Sequence, residues 1–151
     1  IDSIRWYSHL TGIFPDLSKN YLDAPNNDKF RDHIVIMRSL RRQNKFIDYS
    51  FLNSYNNVVS VGLENEFNDL KSKIKNLKFY DSKDFLELAS IIKHSKIFIG
   101  NLSFGYAIAE AVKVPRVLES GPNFPLVYPN GKNAYDFYFQ EHFVKIIKSF
   151  N

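Results

Sequence analysis

From residue 34 onward the chain alternates short apolar runs with longer amphipathic stretches. The apolar runs have the length of buried strands; they are IVIM (34–37), VVSVGL (58–63), LKFY (77–80), KIFIG (96–100) and PRVLE (115–119). Helical patterning is found at 47–55, 64–74, 82–95 and 104–113, and from Asn133 to the end. In the 82–95 helix we expect Ser82 as the N-cap and Phe85, Leu86 and Leu88 to face inward. This alternation predicts an α/β fold, a Rossmann-like parallel sheet of about five strands with helices on both faces.

Residues 1–33 do not follow this alternation. IRWYSHLTGIF (4–14) predicts a short amphipathic helix, and Pro15 and the stretch DAPNND (23–28) interrupt the pattern after it. We therefore predict two parts: a wrapping or linker segment over 1–33 and a single Rossmann-like domain over 34–151, which is long enough to bury a core of its own.

Composition narrows the classes of function. The 151 residues contain no cysteine, and the four histidines are scattered without the spacing of metal ligands, so no metal site is predicted. The formal charge of +4 accompanies a Lys, Asn, Ile, Phe and Tyr bias typical of AT-rich genomes, and no aromatic-basic motif is present. We therefore expect no nucleic-acid partner. No apolar run reaches the roughly 18 residues of a membrane span, which favours a cytoplasmic protein and leaves room for peripheral membrane contact.

Two loops of the predicted sheet carry the best candidate binding groups. In a strand order 3-2-1-4-5, ligands bind at the carboxyl ends of strands one and four, where the order reverses. Strand one is followed there by Arg38, Ser39, Arg41 and Arg42, and strand four by the segment 100–105. Arginine forks suit phosphate oxygens, and the helix after strand four directs its free N–H groups to the same place. Together they predict a diphosphate site; the alternative is a solvated basic loop.

The remaining candidates each have two interpretations. Gly62 and Leu63 end strand two and are expected to line a base pocket. Gly100 would allow close backbone approach to a ligand, while Asn101 and Ser103 either cap the helix or bond a sugar or phosphate. Glu110 either faces solvent or reaches a ribose or sugar hydroxyl. Glu119 ends strand five and bonds either a hydroxyl or a basic neighbour. No residue is predicted to be catalytic.

A resemblance to a known family covers roughly residues 34–120, and its most specific motifs lie in residues 94–120. The stretch HSKIFIGNLSFGYAIAEAVKVPRVLES (94–120) resembles the C-terminal, donor-binding half of GT-B-type glycosyltransferases, nearest to the ADP-heptose:lipopolysaccharide heptosyltransferase family, glycosyltransferase family 9. That family has a strand ending F-I-G-N-D-S-G, a helix with His and small residues, and a short G-x-P turn into the next strand. The matching positions here are Phe98–Asn101, Ser103, Ala109, Ala111 and Val114-Pro115. The departures are Leu102 for Asp, Phe104 for Gly and Ala107 for His.

The resemblance implies a function and a partner. It implies a domain that binds a nucleotide-diphosphate sugar as donor substrate, without a cofactor or metal, in the synthesis of a cell-surface polysaccharide or lipopolysaccharide. Glu110-Ala111 is similar to the Glu-Ala motif with which other GT-B enzymes contact the donor ribose or sugar. The acceptor half would be a preceding domain or a second chain, because residues 1–33 are too few to form it. The alternatives are a non-catalytic binding or assembly module of the same fold, and a relative of sugar-nucleotide epimerases or pyruvyltransferases.

Overall fold

The protein is an α/β domain built on one parallel sheet of six strands. A computed structural model describes residues 3–123 and 127–150. The strands are β1 (Ile34–Met37), β2 (Val58–Ser60), β3 (Lys78–Phe79), β4 (Ile97–Asn101), β5 (Arg116–Glu119) and β6 (Ala134–Phe137). They lie in the order β3-β2-β1-β4-β5-β6, and every neighbouring pair is parallel. The predicted Rossmann-like class is confirmed, with one strand beyond the five expected.

Helices lie between the strands and at both ends of the chain. They are α1 (Ser3–Thr11), α2 (Glu64–Lys71), α3 (Phe85–Lys93), α4 (Phe104–Val112) and α5 (Gln140–Lys148), with short 3₁₀ turns at Asp28–Phe30, Leu40–Arg42 and Ser50–Ser54. The sequence predicts a helix over 47–55, between β1 and β2, but this region contains only the 3₁₀ turn Ser50–Ser54. The N-cap of α3 is Asp84, whose carboxylate accepts the Glu87 N–H at 2.7 Å, and not Ser82.

Each face of the sheet has its own apolar core. On one face α3 and α4 pack over Val35, Val59 and Phe98. On the other, α2, α5 and the 50–54 turn pack over residues that alternate with these along the strands, among them Ile34, Ile36 and Ile99. Strands buried on both faces explain the continuous apolar runs in the sequence.

The tail of the chain is a strand and a helix, where a single helix from Asn133 is predicted. Residues 134–137 pair with 116–119 in the sheet, so that Phe137 lies opposite Glu119. Backbone bonds close the ladder at both ends: the Arg116 N–H donates to Asn133 O at 2.9 Å and the Ser120 N–H donates to Phe137 O at 2.9 Å. Tertiary pairing therefore overrides the local helical pattern, and the helix begins only at Gln140.

The carboxyl ends of the strands converge on one edge of the sheet. The register sets Met37 of β1 opposite Gly100 of β4, and Asn101 of β4 opposite Glu119 of β5. The chain order reverses between β1 and β4, as the sequence predicts, so this edge is where a parallel sheet offers a crevice for ligands. Within residues 3–123 and 127–150, none of the helices has both the length and the apolar character needed to cross a bilayer.

Candidate functional site

A cleft of about 460 Å³ opens at the carboxyl ends of β1 to β4. Its walls are Leu63 after β2, Phe85 at the start of α3, and Phe104 at the start of α4, all of them exposed to solvent. The rings of Phe85 and Phe104 meet edge to face, with centroids 5.0 Å apart. The polar part of the lining is the segment 81–84, which joins β3 to α3. An apolar cleft with a polar rim is the usual form of a small-molecule site.

The floor of the cleft depends on close packing of Met37 against glycines. Gly62 has a left-handed φ of +104°, and a Cβ there would lie 3.1 Å from Met37 Cγ. A Cβ on Gly100 would lie 2.8 Å from Phe98 Cε1 and 3.0 Å from the Met37 carbonyl oxygen. Gly62 therefore lines the cleft, whereas Gly100 is buried against neighbouring protein atoms, which accounts for it without a ligand.

Arg38 and Glu119, both candidate ligand-binding residues, are buried and bind each other. The guanidinium donates from Nε to Oε2 of Glu119 at 2.6 Å and from Nη2 to Oε1 at 2.9 Å. The Tyr49 hydroxyl donates to the same carboxylate at 2.7 Å, and its ring centroid lies 4.6 Å from the Arg38 guanidinium carbon. Asp69 lies 3.7 Å from Arg38 Nη1. Of the two interpretations of Glu119, the structure favours the basic neighbour.

Burial strengthens the electrostatics of this pair. Burial alone would lower the pKa of Arg38, but the hydrogen bond to Glu119, together with the nearby Tyr49 and Asp69, raises it above its ordinary value. Burial and the Glu119 charge raise the pKa of Tyr49 far above its ordinary value. Arg38 therefore stays charged and Tyr49 stays neutral near neutral pH, and the ion pair of Arg38 with Glu119 places compensating groups side by side inside the protein.

Asn101 is completely buried and holds the loop after β1. Its side-chain oxygen accepts the Ser39 N–H at 2.8 Å, and its amide donates to Ser39 O at 2.7 Å. Ser103 is the N-cap residue of α4, but its hydroxyl forms no capping bond and is without a hydrogen-bond partner among the described residues. Of the two interpretations given for these residues, the structure assigns Asn101 neither cap nor ligand but a contact to the β1 loop.

The other two arginines of the cluster lie on that loop. Arg41 is exposed and Arg42 is half-buried, within the turn Leu40–Arg42. Close to Arg41 is Glu66, a buried carboxylate in the first turn of α2 whose Oε2 would lie 3.2 Å from a Cβ on Gly62. Burial raises the pKa of Glu66, and Arg41 partly offsets that effect. Arg41 and Gly62 are thus both neighbours of one buried carboxylate.

Glu110 lies at the opposite edge of the sheet. Its carboxylate accepts from Nε of Arg116 at 2.5 Å, from Nζ of Lys113 at 2.5 Å and from the Asn130 N–H at 3.2 Å. Arg116 begins β5, so this buried cluster lies at the amino ends of the strands. Glu110 is therefore not exposed to solvent, and its distance from the cleft leaves the predicted ribose contact without support from the geometry.

The structure separates the predicted site residues. Gly62 and Leu63 line the cleft, and Arg41 and Arg42 lie on the adjoining loop. The buried support beneath that loop consists of Arg38, Ser39, Gly100, Asn101 and Glu119. Ser103 lies at the start of α4, and Glu110 lies at the opposite edge of the sheet. Phe85 and Leu86, predicted to face inward, are exposed. Sequence reasoning missed Phe85 and Phe104 as cleft walls; the signal was their position as the first residue of helices that begin at the carboxyl edge.

Metal binding and comparison with known proteins both bear on this site. Among residues 3–123 and 127–150, no three His, Asp or Glu side chains are grouped so that they could hold a metal ion. Neither the models of protein families nor the sequences of curated proteins include one that matches this chain.

Proposed function

We propose that the domain binds a nucleoside-diphosphate sugar and serves as the donor-binding half of a GT-B-like glycosyltransferase in the cytoplasm of a bacterium. The observation that carries this proposal is the 460 Å³ cleft at the switch-point edge, with apolar walls beside an arginine-bearing loop. A nucleobase presents two flat faces to Leu63, Phe85 and Phe104, since every base has a π-face that stacks on aromatic rings. The ribose would then face the polar rim at residues 81–84.

The diphosphate in this proposal lies between the β1 loop and the start of α4. Arg41 and Arg42 supply delocalised positive charge from one side. From the other side, the first turn of α4 supplies free backbone N–H groups and the positive end of the helix dipole. These groups stabilise the charge that develops on the leaving diphosphate as the sugar is transferred. The acceptor and the general base belong to a preceding domain or a second chain.

A panel of ADP, UDP, GDP, CDP and their sugar derivatives tests this function by thermal shift and calorimetry. A nucleotide at 100 times its Kd adds about 2.7 kcal/mol to the stability, which corresponds to a rise in Tm of roughly 5–10 °C for a chain of this size. Arg41→Ala removes a charged donor and should weaken binding about tenfold or more. Phe104→Ala removes a stacking wall and should have an effect of similar size.

Two matched variants control for nonspecific effects. Arg31→Ala removes an exposed arginine that precedes β1 at the amino edge, where it pairs with Asp28 at 2.6 Å. Phe139→Ala removes an exposed ring that follows β6, the strand at the far edge of the sheet. Both should bind nucleotide as the parent does. Equal weakening by cleft and control variants would contradict the placement of the site.

One observation favours a second candidate, a binding or assembly module without transferase chemistry. Three of the charged residues that the sequence assigns to the donor site, Arg38, Glu110 and Glu119, form ion pairs inside the protein. If no nucleotide in the panel raises the Tm, the donor-binding proposal fails and this second candidate stands.

A further inference from the structure

The loop that carries Arg41 and Arg42 is attached to the sheet at both ends by buried side chains. At its start, Asn101 of β4 holds both backbone polar groups of Ser39, with distances of 2.8 and 2.7 Å. An amide that satisfies the N–H and the C=O of one residue fixes the position of that peptide unit and leaves no buried group unpaired. The chain therefore leaves β1 in one defined direction.

At the other end of the loop, Asn44 is held by the buried ion pair. Its N–H donates to Oε1 of Glu119, and its carbonyl accepts from Nη2 of Arg38 at 3.2 Å. Its side-chain amide also donates to Ser120 O at 3.0 Å and to Tyr138 O at 3.1 Å. Asn44 is itself buried, so all of these bonds are shielded from water.

The arginines lie between these two fixed points. Only four residues, 40–43, separate Ser39 from Asn44, and three of them form the 3₁₀ turn Leu40–Arg42. Gln43 adds a side-chain bond to Asp69 at 2.9 Å. A segment this short, held at both ends, has few conformations, and a binding loop that is already ordered loses less entropy when its ligand binds.

We propose that Asn101 and Glu119 are positioning residues, which hold the Arg41–Arg42 turn in the conformation that binds the diphosphate. Neither residue touches the ligand, since both are essentially without solvent exposure. A buried arginine–carboxylate pair adds little net stability, because desolvation offsets the attraction. In this proposal the Arg38–Glu119 pair instead orients the loop. The inference rests on the proposed function, since it concerns the same diphosphate.

The protein contains a matched control for this role. Glu110 and Arg116 form a second buried carboxylate–arginine pair at the amino edge, with an Nε–Oε2 distance of 2.5 Å. That pair also holds a neighbouring backbone segment, because Glu110 accepts the Asn130 N–H and Arg116 donates to Asn130 O. Glu110→Gln and Glu119→Gln therefore disturb equivalent interactions, but only the second lies beneath the arginine loop.

Inorganic pyrophosphate and the best-binding nucleotide of the panel are the probes. Calorimetry is carried out at a temperature where circular dichroism shows each variant to be folded. Both glutamine variants should lose thermal stability, but only Glu119→Gln should lose at least tenfold in affinity for both probes. The dependence of log Kd on log salt concentration should also become shallower in Glu119→Gln alone, since fewer fixed charges then meet the ligand. A merely structural role would not change that slope.

Asn101→Ser keeps the test decisive if Glu119→Gln does not fold, since it removes the contact to Ser39 without touching the ion pair. It should weaken pyrophosphate binding in the same way. If the parent binds the probes and Glu119→Gln or Asn101→Ser binds them as tightly as Glu110→Gln does, the positioning role is wrong and the proposed function survives. If the parent binds neither probe, the proposed function fails and the positioning role falls with it.

Discussion

Single side chains at the carboxyl edge connect the core to the surface. Met37, the one methionine of the chain, packs against Gly62 and also lines the cleft. Glu66 also lies close to Gly62, and its Oε2 accepts the Leu63 N–H at 3.5 Å. That distance is long for a hydrogen bond, so it offsets little of the cost of burying the carboxylate.

Glu66 should therefore make the stability depend on pH. Burial raises the pKa of this carboxyl above its ordinary value of 4.5, so its contribution to folding is present below that value and is lost as the pH rises through the folded-state pKa. Glu66→Gln removes the titration. The free energy of unfolding of the parent relative to this variant should fall as the pH rises above 4.5, as measured by urea unfolding at several pH values.

Glu87 supplies a control of opposite sign. Hydrogen bonds from the Lys83 N–H and the Tyr80 hydroxyl lower the pKa of Glu87. Relative to Glu87→Gln, the parent should gain stability as the pH rises over the acid range. If both comparisons change in the same direction, or if the Glu66 comparison does not change with pH, the assignment of the raised pKa to Glu66 is contradicted.

Some contacts at this edge can be predicted from the sequence and others cannot. The arginine cluster is visible in the sequence. Its location near the start of α4 follows from the strand order, since that order determines which loops meet. The pairing of Arg38 with Glu119 does not, because these residues are 81 positions apart and a free carboxylate at a strand end has the same local sequence. Nor can the sequence distinguish an exposed Phe85 from a buried one, since the first turn of a helix can overhang the sheet edge.

At the scale of elements, β6 and α5 depend on each other. The ring of Phe143 in α5 stacks on Phe137 in β6, with centroids 4.1 Å apart and planes 1° from parallel. It also meets Tyr49 and Phe51, with centroids 4.9 Å from each. Since β6 is an edge strand, paired only with β5, this aromatic cluster is its main attachment on that face.

Phe143→Ala should therefore be strongly destabilising. The substitution removes a fully buried ring and leaves a cavity between two elements, a change that typically costs about 3–5 kcal/mol. The free energy from chemical denaturation measures the loss. His142→Ala, at the neighbouring exposed position, should stay within about 0.5 kcal/mol of the parent. A loss below about 1 kcal/mol in Phe143→Ala would mean that the cluster contributes little.

The same tail explains why β6 is not predicted while the other strands are. Strands β1, β2 and β4 are short, buried and mainly apolar runs set between polar segments, which makes their pattern unambiguous. The β6 segment AYDF has a single fully buried residue, Phe137, so it lacks a buried-strand signature of its own. It becomes a strand because β5 offers an unpaired edge, which is tertiary information. The α5 helix, with Phe143 and Ile147 inward at helical spacing, lies within the helix predicted from Asn133 to the end of the chain and begins at Gln140.

At the scale of the whole molecule, order should decrease from the middle of the sheet to the N-terminal segment. Strands β1 and β4 are paired on both sides and buried on both faces. In α1, by contrast, Ser8 is the one buried side chain among the described residues. The apolar residues near α1 are exposed: Trp6, Tyr7, Leu10, Ile13 and Phe14. The segment rejoins the domain where Tyr21 and Leu22 donate backbone bonds to Ala111 O at 3.0 and 3.3 Å.

Native-state hydrogen exchange should therefore separate the two regions. Amides of β4 should exchange only through global unfolding, with protection factors on the order of 10⁴ or more, whereas α1 should open locally and exchange at least a hundredfold faster. Mass spectrometry of peptides covering each region measures the difference. Comparable protection in α1 would mean that its apolar residues are covered. Repeating the measurement after dilution then identifies the cover, since contact between copies of the chain weakens with concentration, whereas contact within one chain does not.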